Sequence, residues 1–233
     1  MGKILEINQN CWIVIPAFNE GKVICDVIQP LIQEGYQVVV VDDGSSDGSP
    51  EKVIDLDLHF CRHTINLGQG AALQTGIQLA LKNNALYIVT FDGDGQHRAE
   101  DVKRLLEPLL TGRCQVTLAS RFIKSGGATG IPFCRKLLLK SGAWFTRRVL
   151  GVQVTDVHNG LRGFTAGAAL KIEITQNRMG HATQILSQIR HERLIYKEIP
   201  VTIRYTEYSL AKGQRLSNLL NVLWESAIEV FRR

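Results

Sequence analysis

The sequence contains no apolar run near the roughly 18 residues that a membrane-spanning helix requires. Its first residues lack the apolar core of a secretory signal peptide. The five cysteines are odd in number, widely scattered and never spaced as CxxC, which argues against a disulfide framework. These absences exclude the membrane-spanning and disulfide-rich secreted classes, and they predict a cytoplasmic protein with reduced thiols.

Acidic residues are missing from one long segment. Residues 108–155 contain no Asp or Glu but carry eight basic residues: Arg113, Arg121, Lys124, Arg135, Lys136, Lys140, Arg147 and Arg148. The segment therefore carries a charge of +8, whereas the rest of the chain carries −3. A field of one sign this local predicts an anionic partner, such as phosphate groups, nucleic acid or an acidic membrane face. A solvated basic helix is the alternative.

The first half of the chain alternates short apolar runs with helical patterns. At 233 residues and 45% hydrophobic, the chain is long enough to bury the core of one large or two small α/β domains. The predicted strands are 12–16, 38–41, 86–91 and 116–119, and the predicted helices are 21–34, 47–55, 70–82 and 99–110. Because these strands are rich in β-branched residues, we expect them to be buried on both faces of a parallel sheet built from βαβ units.

The pattern changes after residue 120. A glycine-rich loop at 126–130 precedes a predicted helix that begins near Pro132 and ends at Gly151. In this helix Phe133, Leu137, Leu138, Ser141, Trp144 and Phe145 are predicted to share one face, with Arg135, Lys136, Lys140 and Arg147 largely opposite. Such a basic amphipathic helix either binds a membrane surface or packs on the domain. A helix at 181–192, a strand at 194–203 and an amphipathic helix at 214–231 complete the prediction.

Two carboxylates stand one residue apart at the end of the 86–91 strand, in the sequence Asp92-Gly93-Asp94-Gly95-Gln96. Paired carboxylates bind hard divalent cations, which often take their remaining ligands from substrate phosphates. In open α/β sheets, ligands bind beyond the carboxyl ends of the strands. This pentapeptide therefore predicts metal-assisted chemistry on a phosphorylated substrate, with an ordinary surface turn as the alternative.

Four further motifs accompany these carboxylates. They are VIPAFNE at 14–20, VDDGSSDG at 41–48, NLGQGAA at 66–72 and ASRF at 119–122. With the DGD at 92–94, they resemble the inverting family 2 glycosyltransferases of the GT-A fold. The resemblance is greatest to the branch that holds dolichol-phosphate mannosyltransferase and bacterial polyprenyl-phosphate glycosyltransferases.

The resemblance implies an α/β fold of the GT-A (Rossmann-like) type, a three-layer sandwich with a mostly parallel central sheet. We expect one domain over 1–233, with a nucleotide-binding half at about 11–120 and an acceptor half at about 121–210. It also implies a hexosyltransferase that uses a UDP- or GDP-linked sugar together with Mg²⁺ or Mn²⁺.

The resemblance also implies roles for individual residues. The nucleotide-binding residues would be Pro16, Phe18, Glu20, Val41, Asp43, Asp92 and Gly93. The metal ligands would be Asp92, Asp94 and Gln96, with Asp94 also catalytic. Arg121 would be catalytic and would face a phosphate, Arg135 would bind the lipid phosphate of the acceptor, and Arg204 would replace an arginine that the branch carries where this chain has Thr206.

The nature of the acceptor decides whether a general base is needed. A phosphate monoester is already an anionic nucleophile, whereas a sugar hydroxyl requires a base. For the second case Asp156, in the family-like segment 156–164, is the candidate. We expect a polyprenyl phosphate acceptor, with a glycan hydroxyl or a catalytically silent scaffold subunit as alternatives.

The same reading predicts a protein that binds peripherally at the inner, cytoplasmic membrane face on anionic lipids. A separate membrane protein subunit is a further candidate partner, and nucleic acid is not expected. Several motif residues also have plainer interpretations: Asp42 and Asp47 as turn or helix caps, and His97 and His181 as structural histidines.

Overall fold

The computed structural model describes residues 7–177 and 180–212. Within these residues the strands are β1 Cys11–Ala17, β2 Gln37–Asp42, β3 His59–Arg62, β4 Tyr87–Thr90, β5 Val116–Ser120, β6 Gly127–Thr129, β7 Arg162–Thr165, β8 Tyr196–Pro200 and β9 Thr202–Arg204. The helices are α1 Ile24–Gln33, α2 Ser49–Val53, α3 Gln69–Lys82, α4 Glu100–Leu110, α5 Phe133–Leu150, α6 Ala166–Ala169, α7 His181–His191 and α8 Glu207–Lys212.

Seven strands form one sheet in the order β3-β2-β1-β4-β7-β5-β8. Only β7 runs antiparallel to its neighbours in this sheet, and β6 and β9 form a separate parallel pair. The predicted mostly parallel α/β sheet is therefore confirmed.

The sheet is covered on both faces because its strands are apolar throughout. In β1, Val14 faces a core cluster that includes α3 and α7, whereas Ile13 and Ile15 face a second cluster that includes α1 and α4. Successive side chains of a strand point to opposite faces. The continuous apolar run thus builds a helix–sheet–helix sandwich.

The four predicted strands and four predicted helices of the first half are all present, but β3, β6 and β7 were not predicted, and β6 forms within the segment 126–130 that was predicted as a loop. The edge strand β3 is only half-buried, so it lacks an apolar run, and β7 begins with a charged residue. The strand predicted at 194–203 divides into β8 and β9, which join different sheets.

Strand β7 brings the 156–162 segment to the end of β4. It pairs with β4 from Thr90↔Arg162 to Tyr87↔Thr165. At the junction the Thr90 hydroxyl donates a hydrogen bond to the carbonyl of Gly160 at 2.6 Å. Residues separated by about 70 positions in sequence are thereby adjacent at the carboxyl edge of the sheet.

Helix α5 forms where the sequence predicts it, and Gly151 ends it in the left-handed region at φ 61°. Its predicted faces are partly wrong. Phe133, Leu137 and Trp144 are exposed, whereas the buried positions include Leu139 and Ala143. Lys136 and Lys140 are exposed beside the large apolar side chains rather than opposite them. The helix therefore packs on the domain through the side that carries Leu139 and Ala143, and it leaves its larger apolar side chains exposed.

None of the helices in the described ranges is both long and apolar enough to cross a membrane. The amphipathic helix predicted at 214–231 lies outside the described residues.

Candidate active site

The carboxyl ends of the central strands surround a cavity of about 540 Å³. Each of the five sequence motifs contributes to its lining, for example through Phe18, Asp43, Gln69, Asp94 and Arg121. Parallel strands place their carboxyl ends at one edge of a sheet, so motifs that follow different strands meet there. We call the part around Asp43, Asp92 and Asp94 the carboxylate side, and the part around Arg121, Arg135 and Tyr205 the arginine side.

Asp92 is held by two side chains, and Gly160 packs closely against its carboxylate. Its Oδ1 accepts a hydrogen bond from Gln69 Nε2 at 2.9 Å, and its Oδ2 lies 3.2 Å from His97 Nε2. A Cβ atom on Gly160 would overlap its carboxylate, so glycine is required there. His97 is thus a buried partner that helps to hold Asp92.

The two carboxylates of the DGD sequence have opposite pKa shifts. Burial and the negative charge of Asp92 raise the pKa of Asp94 to about 6. Burial also raises the pKa of Asp92, but the hydrogen bond and charge of His97, with the charges of His181 and Arg162, outweigh it and lower that pKa. Burial is the largest cause of the raised pKa of Asp94, and the charge of His97 acts against it.

A divalent cation fits this pair of carboxylates. Asp92 and Asp94 supply hard oxygen ligands, and Gln96 lines the same cavity while its backbone N–H donates to Asp94 Oδ1 at 3.0 Å. No group of three His, Cys, Asp or Glu side chains in the described part of the chain could hold a metal. A cation bound here would therefore take further ligands from Gln96, water or substrate phosphate, as Mg²⁺ commonly does.

Asp43 connects β2 to the loop that begins α3. Its carboxylate accepts hydrogen bonds from the backbone N–H groups of Leu67 at 2.9 Å and Gly68 at 2.7 Å. His63 Nδ1 lies 2.7 Å from the same carboxylate, and His63 Nε2 lies 3.0 Å from the Thr75 hydroxyl. Asp43 therefore shapes the cavity wall between 43 and 69, and it is one of the residues that line the cavity.

The other predicted nucleotide-binding residues differ in position. Pro16, Phe18, Glu20 and Gly93 line the cavity, and the Phe18 side chain is 41% exposed. Val41 does not line it: the side chain is fully buried in the core between β2 and α3. Glu20 accepts a hydrogen bond from the Tyr208 hydroxyl at 2.9 Å, which connects α8 to the loop between β1 and α1.

Arg121 is buried in an ion pair with Asp156. The Arg121 Nε and backbone N–H both donate to Asp156 Oδ2, at 2.6 and 3.1 Å. The side chains are 6% and 1% exposed. Asp156 itself does not line the cavity, and its Oδ1 has no partner within the described residues. This geometry favours a positioning role for Asp156, because it orients the guanidinium that reaches the cavity.

Tyr205 organises the arginine side. Its hydroxyl accepts a hydrogen bond from Arg121 Nη1, and the Arg135 guanidinium lies 5.2 Å from its ring centroid. Its backbone N–H donates to the Thr129 carbonyl at 3.0 Å, which attaches it to β6. Arg121, Arg135 and Tyr205 line the same cavity. Arg204 instead lines a neighbouring cleft beyond Asp94 and His97.

Sequence reasoning missed several of these residues. Tyr205 and Tyr208 were not singled out, and Gln69 and Arg162 were noticed only inside longer motifs. Arg162 is buried and donates to the carbonyls of Asn159 and Val157 at 3.1 and 2.8 Å. Burial lowers its pKa to about 10 against the opposing effect of Asp92. No local sequence pattern marks the tyrosines, because their partners come from distant segments.

Known proteins similar to this chain identify its family. The family model described as Glycosyl transferase family 2 matches residues 12–173. An uncharacterized protein of Methanocaldococcus jannaschii is 34% identical over 227 residues, which cover 96% of this chain and 93% of that protein. The UDP-N-acetylglucosamine–dolichyl-phosphate N-acetylglucosaminyltransferase of Methanococcus voltae is 28% identical over 222 residues, covering 87% of this chain and 88% of that enzyme.

Among solved structures, one similar fold is glucosyl-3-phosphoglycerate synthase from Mycobacterium tuberculosis in complex with Mn²⁺, uridine diphosphate and glucosyl-3-phosphoglycerate. The TM-score is 0.71 at 19% identity, and the match covers 97% of this chain and 81% of the synthase. Fold, motif order and family match agree. The chain therefore belongs to glycosyl transferase family 2 and is a glycosyltransferase with the GT-A fold.

Proposed function

We propose that this enzyme transfers a hexose, with inversion, from a UDP- or GDP-linked donor to a polyprenyl phosphate, and that it requires Mg²⁺ or Mn²⁺. The name of the Methanococcus voltae relative, which acts on dolichyl phosphate, supports this acceptor class. The Mn²⁺ and uridine diphosphate in the similar synthase structure support the donor and the cation.

The observation that carries the proposal is that Arg121 and Arg135 line the cavity, while each carboxylate among its described lining residues already has another partner or role. Arg121 and Arg135 converge on Tyr205 in the cavity and suit an anionic acceptor. Of the described lining carboxylates, Glu20 and Asp43 are hydrogen-bonded to the protein, and Asp92 and Asp94 form the proposed metal pair. An acceptor phosphate needs no base, since its oxygen is already anionic.

The proposed reaction needs no proton transfer. An anionic oxygen of the acceptor phosphate attacks the anomeric carbon, and the new bond forms on the face opposite the leaving group. The electron pair of the broken bond goes to the nucleoside diphosphate. When bound between Asp92 and Asp94, the cation would neutralise the charge that develops on that leaving group.

The chain's own residues then have distinct tasks. Phe18, Glu20 and Asp43 would bind the nucleoside, while Arg121 would hold a phosphate in a fixed direction because Asp156 and Tyr205 fix its guanidinium. Arg135, on α5, would bind the acceptor phosphate. Since such an acceptor has a lipid tail, the reaction would take place at the cytoplasmic surface of a membrane.

A transfer assay that varies the acceptor tests this function. Wild-type enzyme is incubated with UDP- or GDP-hexoses, Mn²⁺ and either a polyprenyl phosphate or the corresponding polyprenol. Product is expected only with the phosphate. Arg135→Ala should raise the KM for the phosphate by roughly tenfold or more, as loss of a charge-assisted contact implies. Lys82→Ala, which removes an exposed lysine at the end of α3 that does not line the cavity, is the control.

The alternative acceptor is a glycan hydroxyl. Transfer to a soluble glycan in place of the lipid phosphate, with a rate that depends on Asp156, would overturn the proposal in favour of a base-assisted reaction.

A further inference from the structure

Helix α5 attaches to the domain in an unusual way. Leu139, Ala143 and Thr146 are among its buried residues. The larger Phe133, Leu137 and Trp144 are 78%, 60% and 56% exposed. With 3.6 residues per turn, positions 133, 137 and 144 fall within a narrow arc of the helix. Large apolar side chains clustered on one exposed face mark an interaction surface rather than chance exposure.

The charge around this apolar stripe has one sign. Lys136 and Lys140 are exposed beside it, and the Arg148 guanidinium lies 5.7 Å from the Trp144 ring centroid. No acidic residue occurs anywhere in 108–155, so no carboxylate of the helix itself neutralises these cations. An apolar stripe with Phe, Leu and Trp, bordered by Lys and Arg, is the pattern of a helix that lies in the interface of an anionic bilayer.

The same helix also reaches the cavity. Arg135 precedes Lys136 but turns toward the cavity, where it lies over Tyr205. The outward face of α5 and the arginine side of the cavity are thus two sides of one helix. A bilayer in contact with the outward face would lie about one helix diameter, roughly 10 Å, from the arginine side.

We propose that the outward face of α5, formed by Phe133, Leu137 and Trp144 with Lys136, Lys140 and Arg148, docks the protein on an anionic lipid bilayer. The evidence for this docking surface is the exposure and charge of the helix. Its purpose, which is to present a lipid-linked phosphate to Arg135, rests on the proposed function.

Vesicle flotation of the full chain tests the proposal. Wild-type protein should float with phosphatidylcholine–phosphatidylglycerol vesicles at low salt, and it should be lost from them at high salt or without phosphatidylglycerol. Leu137→Ser should weaken binding about tenfold, because a buried leucine contributes that much or more. Lys136→Glu should also weaken it, by several-fold. Leu170→Ser is the control, because Leu170 is an exposed leucine that directly follows α6 and is not part of α5. It should have no effect.

Trp144 supplies a direct readout of the contact. Its fluorescence in wild-type protein, measured as the difference from Trp144→Phe, should be quenched by brominated phosphatidylglycerol vesicles. Unchanged flotation of Leu137→Ser, or no quenching of Trp144, would overturn the proposal. A concentration-dependent dimer that Leu137→Ser abolishes would also overturn it, as would shielding of Trp144 by residues 213–233 of the same chain. In either case a protein segment, and not a bilayer, would cover the outward face of α5.

The docking surface and the proposed function fail separately. A short-chain, water-soluble polyprenyl phosphate should be glycosylated equally by wild-type protein and Leu137→Ser, since this acceptor needs no bilayer. If wild-type protein floats but glycosylates no phosphate acceptor, the function is wrong and the docking surface stands. If it glycosylates the soluble acceptor but does not float, the docking surface is wrong and the proposed function stands.

Discussion

On the carboxylate side of the cavity, Asp43 accepts hydrogen bonds from backbone N–H groups, and Asp92 and Asp94 follow directly on a buried strand. On the arginine side, Arg121 is fixed by a buried carboxylate and by Tyr205, both distant in sequence. The first arrangement combines backbone N–H groups with the side chains of His63, Gln69 and His97, whereas the second centres on a buried ion pair. Changes to the carboxylate pair should therefore affect chemistry more than stability, whereas breaking the ion pair on the arginine side should affect both.

Asp94→Asn should have the largest effect on activity. It preserves shape but removes one of two charges that would hold the cation, so we expect kcat to fall about 10²–10³-fold, the range for losing one electrostatic contact to the leaving group. Calorimetry of UDP or GDP binding should also lose its dependence on Mn²⁺, and thermal unfolding should be nearly unchanged. Asp57→Asn, at an exposed position, is the control. Undiminished turnover in Asp94→Asn would contradict the metal assignment.

Asp156→Asn should have the largest effect on stability. It leaves the buried Arg121 guanidinium without its counter-charge, which costs about 3–5 kcal/mol of unfolding free energy in comparable cases. Replacing both partners, as Arg121→Met with Asp156→Leu, should recover much of that stability without recovering transfer. Denaturant unfolding and a transfer assay distinguish the two outcomes. If Asp156→Asn unfolds like wild-type protein yet loses transfer, Asp156 acts on the substrate and not through Arg121.

Asp43→Ala tests whether a residue on the carboxylate side affects both stability and nucleotide binding. The change frees two backbone N–H groups, so we expect a loss of about 1–3 kcal/mol in stability. Nucleotide binding should weaken about tenfold, and by the same factor with and without Mn²⁺, because Asp43 lies on the cavity wall and not in the carboxylate pair. A loss of nucleotide affinity seen only with Mn²⁺ would make Asp43 part of the metal site.

The two tyrosines give the smallest and most selective effects. Tyr205→Phe removes the acceptor for the Arg121 hydrogen bond and keeps the ring beneath Arg135. Tyr208→Phe removes the bond to Glu20 on the opposite side. Each should change one KM about fivefold, as a hydrogen bond of about 1 kcal/mol implies: the acceptor KM for Tyr205→Phe and the donor KM for Tyr208→Phe. Equal effects of both variants on both KM values would remove the distinction between the two sides.

Much of the first half was predictable because its signals are local. The runs at 12–16, 38–41 and 86–91 are apolar and β-branched enough to identify buried parallel strands without any tertiary information. The motifs that follow them are then brought to one edge by the topology itself. Strands β3 and β7 escaped prediction because an edge strand and a strand that begins with arginine carry no such run.

The arginine side was only partly predictable. The sequence picked out Arg121, Arg135 and Asp156, but it grouped Arg204 with them, and the structure separates Arg204 into a neighbouring cleft. The interaction of Tyr205 with Arg121 joins residues 84 positions apart. Contacts of this kind depend on where β6, β8 and β9 are located, and no short-range pattern encodes those positions.

The sequence by itself determined the α/β class, the buried strands, the carboxylate pair and the family, because apolar periodicity and motif order are properties of the chain alone. Only the tertiary structure decided which direction the faces of α5 point, what holds Arg121, and that Gly160 lies against Asp92. Those features depend on packing between distant segments. A helix's amphipathic pattern shows that it has two faces, and its neighbours decide which of them is left exposed.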